Sequence, residues 1–211
     1  MEMNTRHKVE KTVTEMIEGL DLVEWKMRVA AGEKLPLAQE DLHIDGHAIE
    51  ARIYAEDPSR DFLPSPGRIA HLAPPAESRH VRVDTGVRAG DTITAHYDPL
   101  IAKLVVWDRD REKAVGRLRE ALSEFEIAGP ASNLGLLYRI AHNRDFIAGD
   151  LDTGLIERHR EELLAGSEPA GDDALALAAL AALGPGVAPR DPWNLADAWR
   201  PNRDYHREML F

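Results

Sequence analysis

Cysteine is missing from all 211 residues, so a disulfide framework, a thiolate metal cluster and a cysteine nucleophile are excluded. That absence suits a reducing compartment. Long apolar runs are missing too. The longest, Ala174 to Leu183, has ten residues and is mostly alanine, too short for a hydrocarbon core of roughly 30 Å. The opening "MEMNTRHKVEK" has no apolar stretch of signal-peptide type, and a soluble protein is expected. Positive charge is in deficit. Lys and Arg number 26 against 37 Asp and Glu, a formal net of -11, which argues against nucleic acid or an anionic membrane as a partner. Any anion site must be local.

What remains is ample for a core. Apolar residues make up 44% and charged residues 30%, outside the regime in which burial fails to offset the entropy of ordering. Met1 leads straight into what reads as a working segment, as expected of a piece of a longer protein.

Patterning places the elements. Thr12 with Glu15, and Asp21 with Glu24, have capping-box spacing. They predict a helix over about 13–19 and a second carrying Leu22, Val23, Met27 and Ala30 and stopping at Gly32. After a connection ending at Asp45-Gly46 the period becomes two. His47, Ile49, Ala51, Ile53 and Ala55 take the core face of a strand, while Glu50, Arg52, Tyr54 and Glu56 form a polar wall. Further strands are expected near 68–72, 81–85, 92–96 and 100–107, with Ala89-Gly90-Asp91 as a hairpin tip. Ala114, Val115, Leu118, Ala121, Leu122 and Phe125 recur at helical spacing, with Asp108 or Asp110 as N-cap, in a helix expected to cover the sheet. Ser132 or Asn133 should cap another helix, a third should run over about 152–164, and the alanine-leucine helix should follow a linker. Trp193 and Trp199 begin something new.

The first ten residues carry the most chemistry. In a strand, Glu2, Asn4, Arg6, Lys8 and Glu10 would share one side. Two oxygen ligands, a guanidinium and a further carboxylate in one row suit a hard cation beside a small oxyanion. Spacing alone leaves a plainer alternative open, an exposed strand of alternating charge.

The wording of the sequence then adds a resemblance. "EMNTRHKVEKTVTE", "GLDLVEW", "RVAAGE", "GHAIEARIYAEDP", "FLPSPG", "VDTGV", "HYDPLIAKLVVW" and "GPASNLGLL", in order from Glu2 to about His159, closely resemble the biotin carboxylase part of biotin-dependent acyl-CoA carboxylases. "DLVEW" and the ending "PWNLADAWRPNRDYHREMLF" are most like the 3-methylcrotonyl-CoA type. The resemblance implies an α+β fold: the tail of an ATP-grasp domain over 1–44, then the biotin carboxylase C-terminal domain over 45–162, with a mostly antiparallel sheet covered by helices. Residues 163–211 would form a linker, a helix and the start of a subunit-connecting domain.

It also implies ATP-dependent carboxylation of carrier-bound biotin with bicarbonate. Glu2 and Asn4 match positions that hold divalent metals, Mg²⁺ or Mn²⁺, at the ATP phosphates. Arg6 matches the arginine that grips bicarbonate, and Glu10 the general base that takes its proton. Arg52 matches the arginine that stabilises the biotin enolate. Arg6, Lys8, Val9 and Arg52 thus surround bicarbonate and biotin. The implied partners are a biotin carrier domain, a carboxyltransferase subunit and a second copy in a homodimer. The implied location is the cytoplasm, or the mitochondrial matrix in a eukaryote.

Departures matter as well. After Arg6 the family usually has an aliphatic residue, then Gln, Val, Glu, His and Pro, whereas this chain has His7, Lys8, Val9, Glu10, Lys11 and Thr12. Lys8, replacing a neutral amide, should lower the pKa of Glu10 and weaken it as a base. The resemblance further implies an upstream ATP-grasp half with a Gly-rich lid, adenine-contacting lysines and a first metal carboxylate. These 211 residues have no counterpart to it and no GxxxxGK[ST] loop, so the isolated chain is expected to be inactive, and the biotinyl-lysine pattern is missing as well. The rival reading is an assembly module of the same family without catalysis.

Overall fold

The computed structural model describes residues 8–164 and 171–183, and the chain divides into two units, Met1–Gly166 and Ser167–Phe211. In the first unit α1 (Lys11–Glu18) and α2 (Leu22–Ala30) precede β1 (His47–Tyr54). Short strands follow: β2 (Glu56–Asp57), β3 (Leu63–Pro64), β4 (Gly67–Arg68), β5 (His71–Ala73), β6 (Val81–Thr85) and β7 (Thr92–Ile93). Then come β8 (Leu100–Asp108), α3 (Arg111–Glu124), β9 (Glu126–Ala128), α4 (Leu134–His142), α5 (Arg144–Ala148), α6 (Leu155–Arg158) and α7 (Arg160–Leu163). The described part of the second unit is α8 (Asp172–Leu183).

The α+β expectation holds. All strand pairings among the described residues are antiparallel, and the central sheet has the order β1-β8-β6. Its middle strand, β8, reads as an almost unbroken apolar run, Leu100-Ile101-Ala102 and Leu104-Val105-Val106, because both its faces are covered. On one face Ala51, Ile53, Ala102, Leu104 and Val106 pack with Leu118, Ala121, Leu122 and Phe125 in a single core. The helix expected to cover the sheet does so, and Asp110 caps it by accepting from the Lys113 amide. On the other face lies α1, set against the polar wall of β1.

Several local expectations need correction. Thr12 does not cap α1; it is fully buried inside the helix, and Glu10 stands at the N-cap. The proposed opening strand does not reach residues 8–10, because Val9 and Glu10 form a turn and Glu10 already has helical angles (φ -71°, ψ 0°). The strand expected over 68–72 is two, β4 and β5, and that over 92–96 is only β7. Gly90 does turn the chain (φ 96°), yet β6 pairs with β8 and β7 with β4, so it tips no hairpin between its neighbours. The helix expected over 152–164 is broken into α6 and α7 at His159. Asp21 does cap α2, accepting from the Val23 and Glu24 amides. Trp193 and Trp199 lie outside the described residues. No described helix is long and apolar enough to cross a membrane.

Candidate functional site

The polar face of the central sheet is a graded ladder of charge. Strand register sets Arg52 opposite Lys103, and Lys103 opposite Asp84, in one row across three strands. The next row holds Glu50, the buried Val105 and Arg82. Charges alternate along β1, Glu50 before Arg52, and along β6, Arg82 before Asp84, and the carboxylates meet cations: Lys103 Nζ is 3.0 Å from Asp84 and Arg82 Nε 2.8 Å from it. Burial alone would raise the Asp84 pKa. The hydrogen bonds from Arg82 and Lys103 outweigh it and hold the carboxyl below its usual value.

Helix α1 docks onto this face by carboxylate contacts. Glu15, only 5% exposed, accepts from Arg82 Nη1 at 2.9 Å, from Lys11 Nζ at 3.1 Å and from the Leu22 amide at 3.1 Å. A buried carboxylate needs such a full set of donors. Thr12 Oγ1 donates to Glu50 Oε2 at 2.5 Å, while Glu50 Oε1 accepts from Arg52 Nε at 3.1 Å. The N-terminal end of α1 is thereby tied to the guanidinium through one carboxylate.

Arg52 also reaches Glu10, its Nη2 lying 2.7 Å from Glu10 Oε1. Contact with Glu50, opposed by burial and aided by Tyr54 and Glu10, raises the Arg52 pKa further, so its charge is permanent. Glu10 is held below the usual carboxylate range, first by a hydrogen bond from its own backbone, then by Arg52 and by the charge of Lys8, with burial opposing. Lys8 and Val9 are exposed. Exposed ion pairs contribute little to stability, and the Glu10 side chain is 60% exposed. The Glu10–Arg52 pair therefore adds little to the stability of the fold.

Of the residues singled out from sequence, the structure brings Glu10 and Arg52 together, with Lys8 close enough to act on Glu10 electrostatically. Glu2, Asn4 and Arg6 lie outside the described residues. Among the described residues no group of three or more His, Asp or Glu side chains is arranged to hold a metal ion. Three contributors escaped sequence reading. Glu50 was visible only as one member of a polar row, Thr12 only as a cap, and Asn133 only as a cap. The Asn133 amide instead bonds the backbone of β1, accepting from the Tyr54 N–H at 2.9 Å and donating to the Arg52 carbonyl at 3.0 Å.

Comparison with known proteins gives this geometry a context. The biotin carboxylase C-terminal domain matches residues 50–158, and the ATP-binding domain of the carbamoyl-phosphate synthase L chain matches residues 1–38. The chain is 48% identical to the mitochondrial methylcrotonoyl-CoA carboxylase subunit alpha of Dictyostelium discoideum, over 100% of this chain and 31% of that protein. It is 45% identical to the biotin carboxylase of Nostoc, over 74% of this chain and 35% of that one. Among solved structures it resembles the biotin carboxylase domain dimer of the Hydrogenobacter thermophilus 2-oxoglutarate carboxylase, solved with MgADP, ADP and bicarbonate. That match has a TM-score of 0.75 and 44% identity, covering 81% of this chain and 36% of the other. The biotin carboxylase subunit of a pyruvate carboxylase matches with a TM-score of 0.75 and 40% identity, over 79% and 36%. The chain thus spans about a third of the length of these two relatives, and 22–25% of the plant and rodent methylcrotonoyl-CoA carboxylase alpha subunits it also matches. A domain match over more than half the chain, which takes in most of β1 and the whole of β6 and β8, establishes that the chain belongs to the biotin carboxylase family.

Proposed function

We propose that this chain supplies the C-terminal part of a biotin carboxylase site, in which bicarbonate is activated with ATP and the carboxyl group passes to N1 of carrier-bound biotin. The observation that supports it is the 2.7 Å contact between Glu10 and Arg52, groups 42 positions apart in sequence. It sets a proton acceptor and a fixed cation side by side, as the reaction requires. Bicarbonate is a poor electrophile and must first lose its proton and attack phosphorus. Later, negative charge develops on N1 and the carbonyl oxygen of the biotin ureido group as its N1–H is removed.

In this reading Glu10 accepts the bicarbonate proton, and Arg6 and Val9 hold the anion. Arg52 stabilises the biotin enolate oxygen in an electrostatically prearranged site. Glu50 keeps the guanidinium from turning away. Lys8 contributes a cation that strengthens anion binding while making Glu10 a weaker base. Mg²⁺ or Mn²⁺, held with Glu2 and Asn4, would neutralise the ATP phosphates. Residues 1–44 then belong to the ATP-grasp part, 45–162 to the C-terminal domain, and 163–211 to a linker and connecting segment. The carrier domain, a carboxyltransferase subunit and a second copy are the partners. Alone, the 211 residues do not turn over ATP, since they contain no glycine-rich phosphate loop.

A chimera tests this. Residues 1–158 replace the matching segment of the Nostoc biotin carboxylase, and bicarbonate-dependent ADP release is followed with and without free biotin. Biotin-stimulated turnover that is lost in Arg52→Ala supports the proposal. A folded, dimeric chimera without turnover would favour the assembly-module reading instead.

A further inference from the structure

Asn133 begins α4, where an asparagine side chain ordinarily accepts from the amides of the helix's own first turn. Here it makes no such bond. Its amide is spent on β1, 81 positions away: Nδ2 donates to the Arg52 carbonyl at 3.0 Å, and Oδ1 accepts from the Tyr54 N–H at 2.9 Å. Its own backbone N–H adds a bond of 3.2 Å to the Tyr54 carbonyl. The residue is 8% exposed.

The position of these bonds matters. Among the described residues β1 is an edge strand, with β8 on one side and no strand on the other. An edge presents unpaired N–H and C=O groups that need partners. Asn133 fills two of them as another strand would, on either side of Ile53. Immediately afterwards the pairing with β8 slips, from Ile53 opposite Ala102 to Tyr54 opposite Leu100, a bulge that re-aims the neighbouring side chains. Arg52 therefore sits just before an irregularity, where its backbone direction would be poorly fixed by β8 alone.

Resting on the reading of Arg52 as the cation that meets the biotin enolate, we infer that Asn133 is a positioning residue for that guanidinium: it clamps the free edge of β1 at Arg52 and Tyr54 and so fixes where the charge points. Helix α4 gives up its side-chain cap for this contact.

The test has two parts. In the 211-residue chain, amide hydrogen exchange is measured at Tyr54. Asn133→Ala should speed it at least about 10-fold. Asn133→Asp, which keeps the acceptor but sets an anionic oxygen against the Arg52 carbonyl, should leave Tyr54 better protected than alanine does. Unchanged exchange at Tyr54 in Asn133→Ala overturns the inference whatever the chimera does.

In the chimera, Asn133→Ala should lower biotin-dependent turnover about 10- to 100-fold, as expected for a misplaced catalytic group. Bicarbonate-dependent ATP cleavage without biotin should change far less. Because the effect runs through Arg52, Asn133→Ala combined with Arg52→Ala should be no slower than Arg52→Ala alone. Equal loss of both activities, or losses that multiply in the double variant, would mark Asn133 as merely structural and overturn the inference. If the parent chimera does not turn over, the proposed function fails separately, and the exchange result still decides whether Asn133 holds Arg52.

Discussion

Lys8 is one of several groups that bear on the Glu10 carboxyl. It stands where the family usually has a neutral amide, and its charge helps hold the Glu10 carboxyl below the usual value. Replacing it with glutamine removes a cation, so the Glu10 pKa rises. The acidic limb of the chimera's pH–rate profile, which reports the free base, should move to higher pH in Lys8→Gln. A limb that stays put would mean that Glu10 is not the base or that Lys8 does not act on it. Thr12 makes a second residue-scale case. Its buried hydroxyl donates to Glu50, a bond that a proline at this position could not make. Thr12→Val keeps the shape and removes the bond. It should cost about 1–3 kcal/mol in urea unfolding, the range for a hydrogen bond to a buried charged group.

At the same scale, the sequence pattern reached Glu10 and Arg52 because both lie within wording that resembles the family. It did not reach the contact between Thr12 and Glu50. Capping-box spacing shows two residues that could bond across a helix turn, and it carries no information about a carboxylate 38 positions away. Glu10 was read on an extended strand, whereas its backbone is helical. Its meeting with Arg52 comes from the docking of α1, which period-two arithmetic cannot see.

Among the elements, β1 was the most legible, since alternation of apolar and polar residues separates its two faces directly. The very short strands β2 to β5, β7 and β9 were largely hidden, because two- or three-residue pairings leave no period to detect. Helix α5 was missed for the same reason, being only five residues long. The N-terminal end of β1 is anchored by a contact with a pH signature. Arg111 Nη1 lies 3.1 Å from His47 Nε2, while Nη2 of the same residue donates to the Phe146 carbonyl at the end of α5. Burial, then the Arg111 charge, lowers the His47 pKa below 6.5. The unfolded chain then binds this proton more readily than the folded one. Stability is fully present above pH 6.5 and falls as pH drops below that value towards the lowered pKa. His47→Gln should lose less melting temperature than the parent between pH 7.5 and 5.5. Identical losses in the two proteins would contradict the link.

For the molecule as a whole, close backbone packing sets which changes are tolerated. Gly129 joins β9 to the loop before α4 with φ 129°, and a Cβ there would meet the Arg68 carbonyl oxygen. Gly129→Ala should destabilise the fold by about 2–4 kcal/mol, readable as a lower urea midpoint with an unchanged slope. The same closeness joins the end of β9 to β4, and Ile69, Leu72, Ile93 and Ile127 from these short strands and their connections share the core that backs β1 and β8. The covering helix could be foreseen from patterning, and the α+β class from the resemblance to the family. The division of the strands into one three-stranded sheet and several two-stranded ones could not, because it depends on pairings between distant segments.

The account turns on the opening segment and β1 forming one site through Glu10 and Arg52. The most direct measurement is the titration of the Glu10 side-chain carboxyl by NMR in the parent chain and in Arg52→Ala. The account predicts that the Glu10 pKa rises in the variant towards its ordinary value of 4.5, without fully reaching it, because the backbone hydrogen bond and Lys8 remain. A Glu10 titration unmoved by the loss of Arg52 would contradict it.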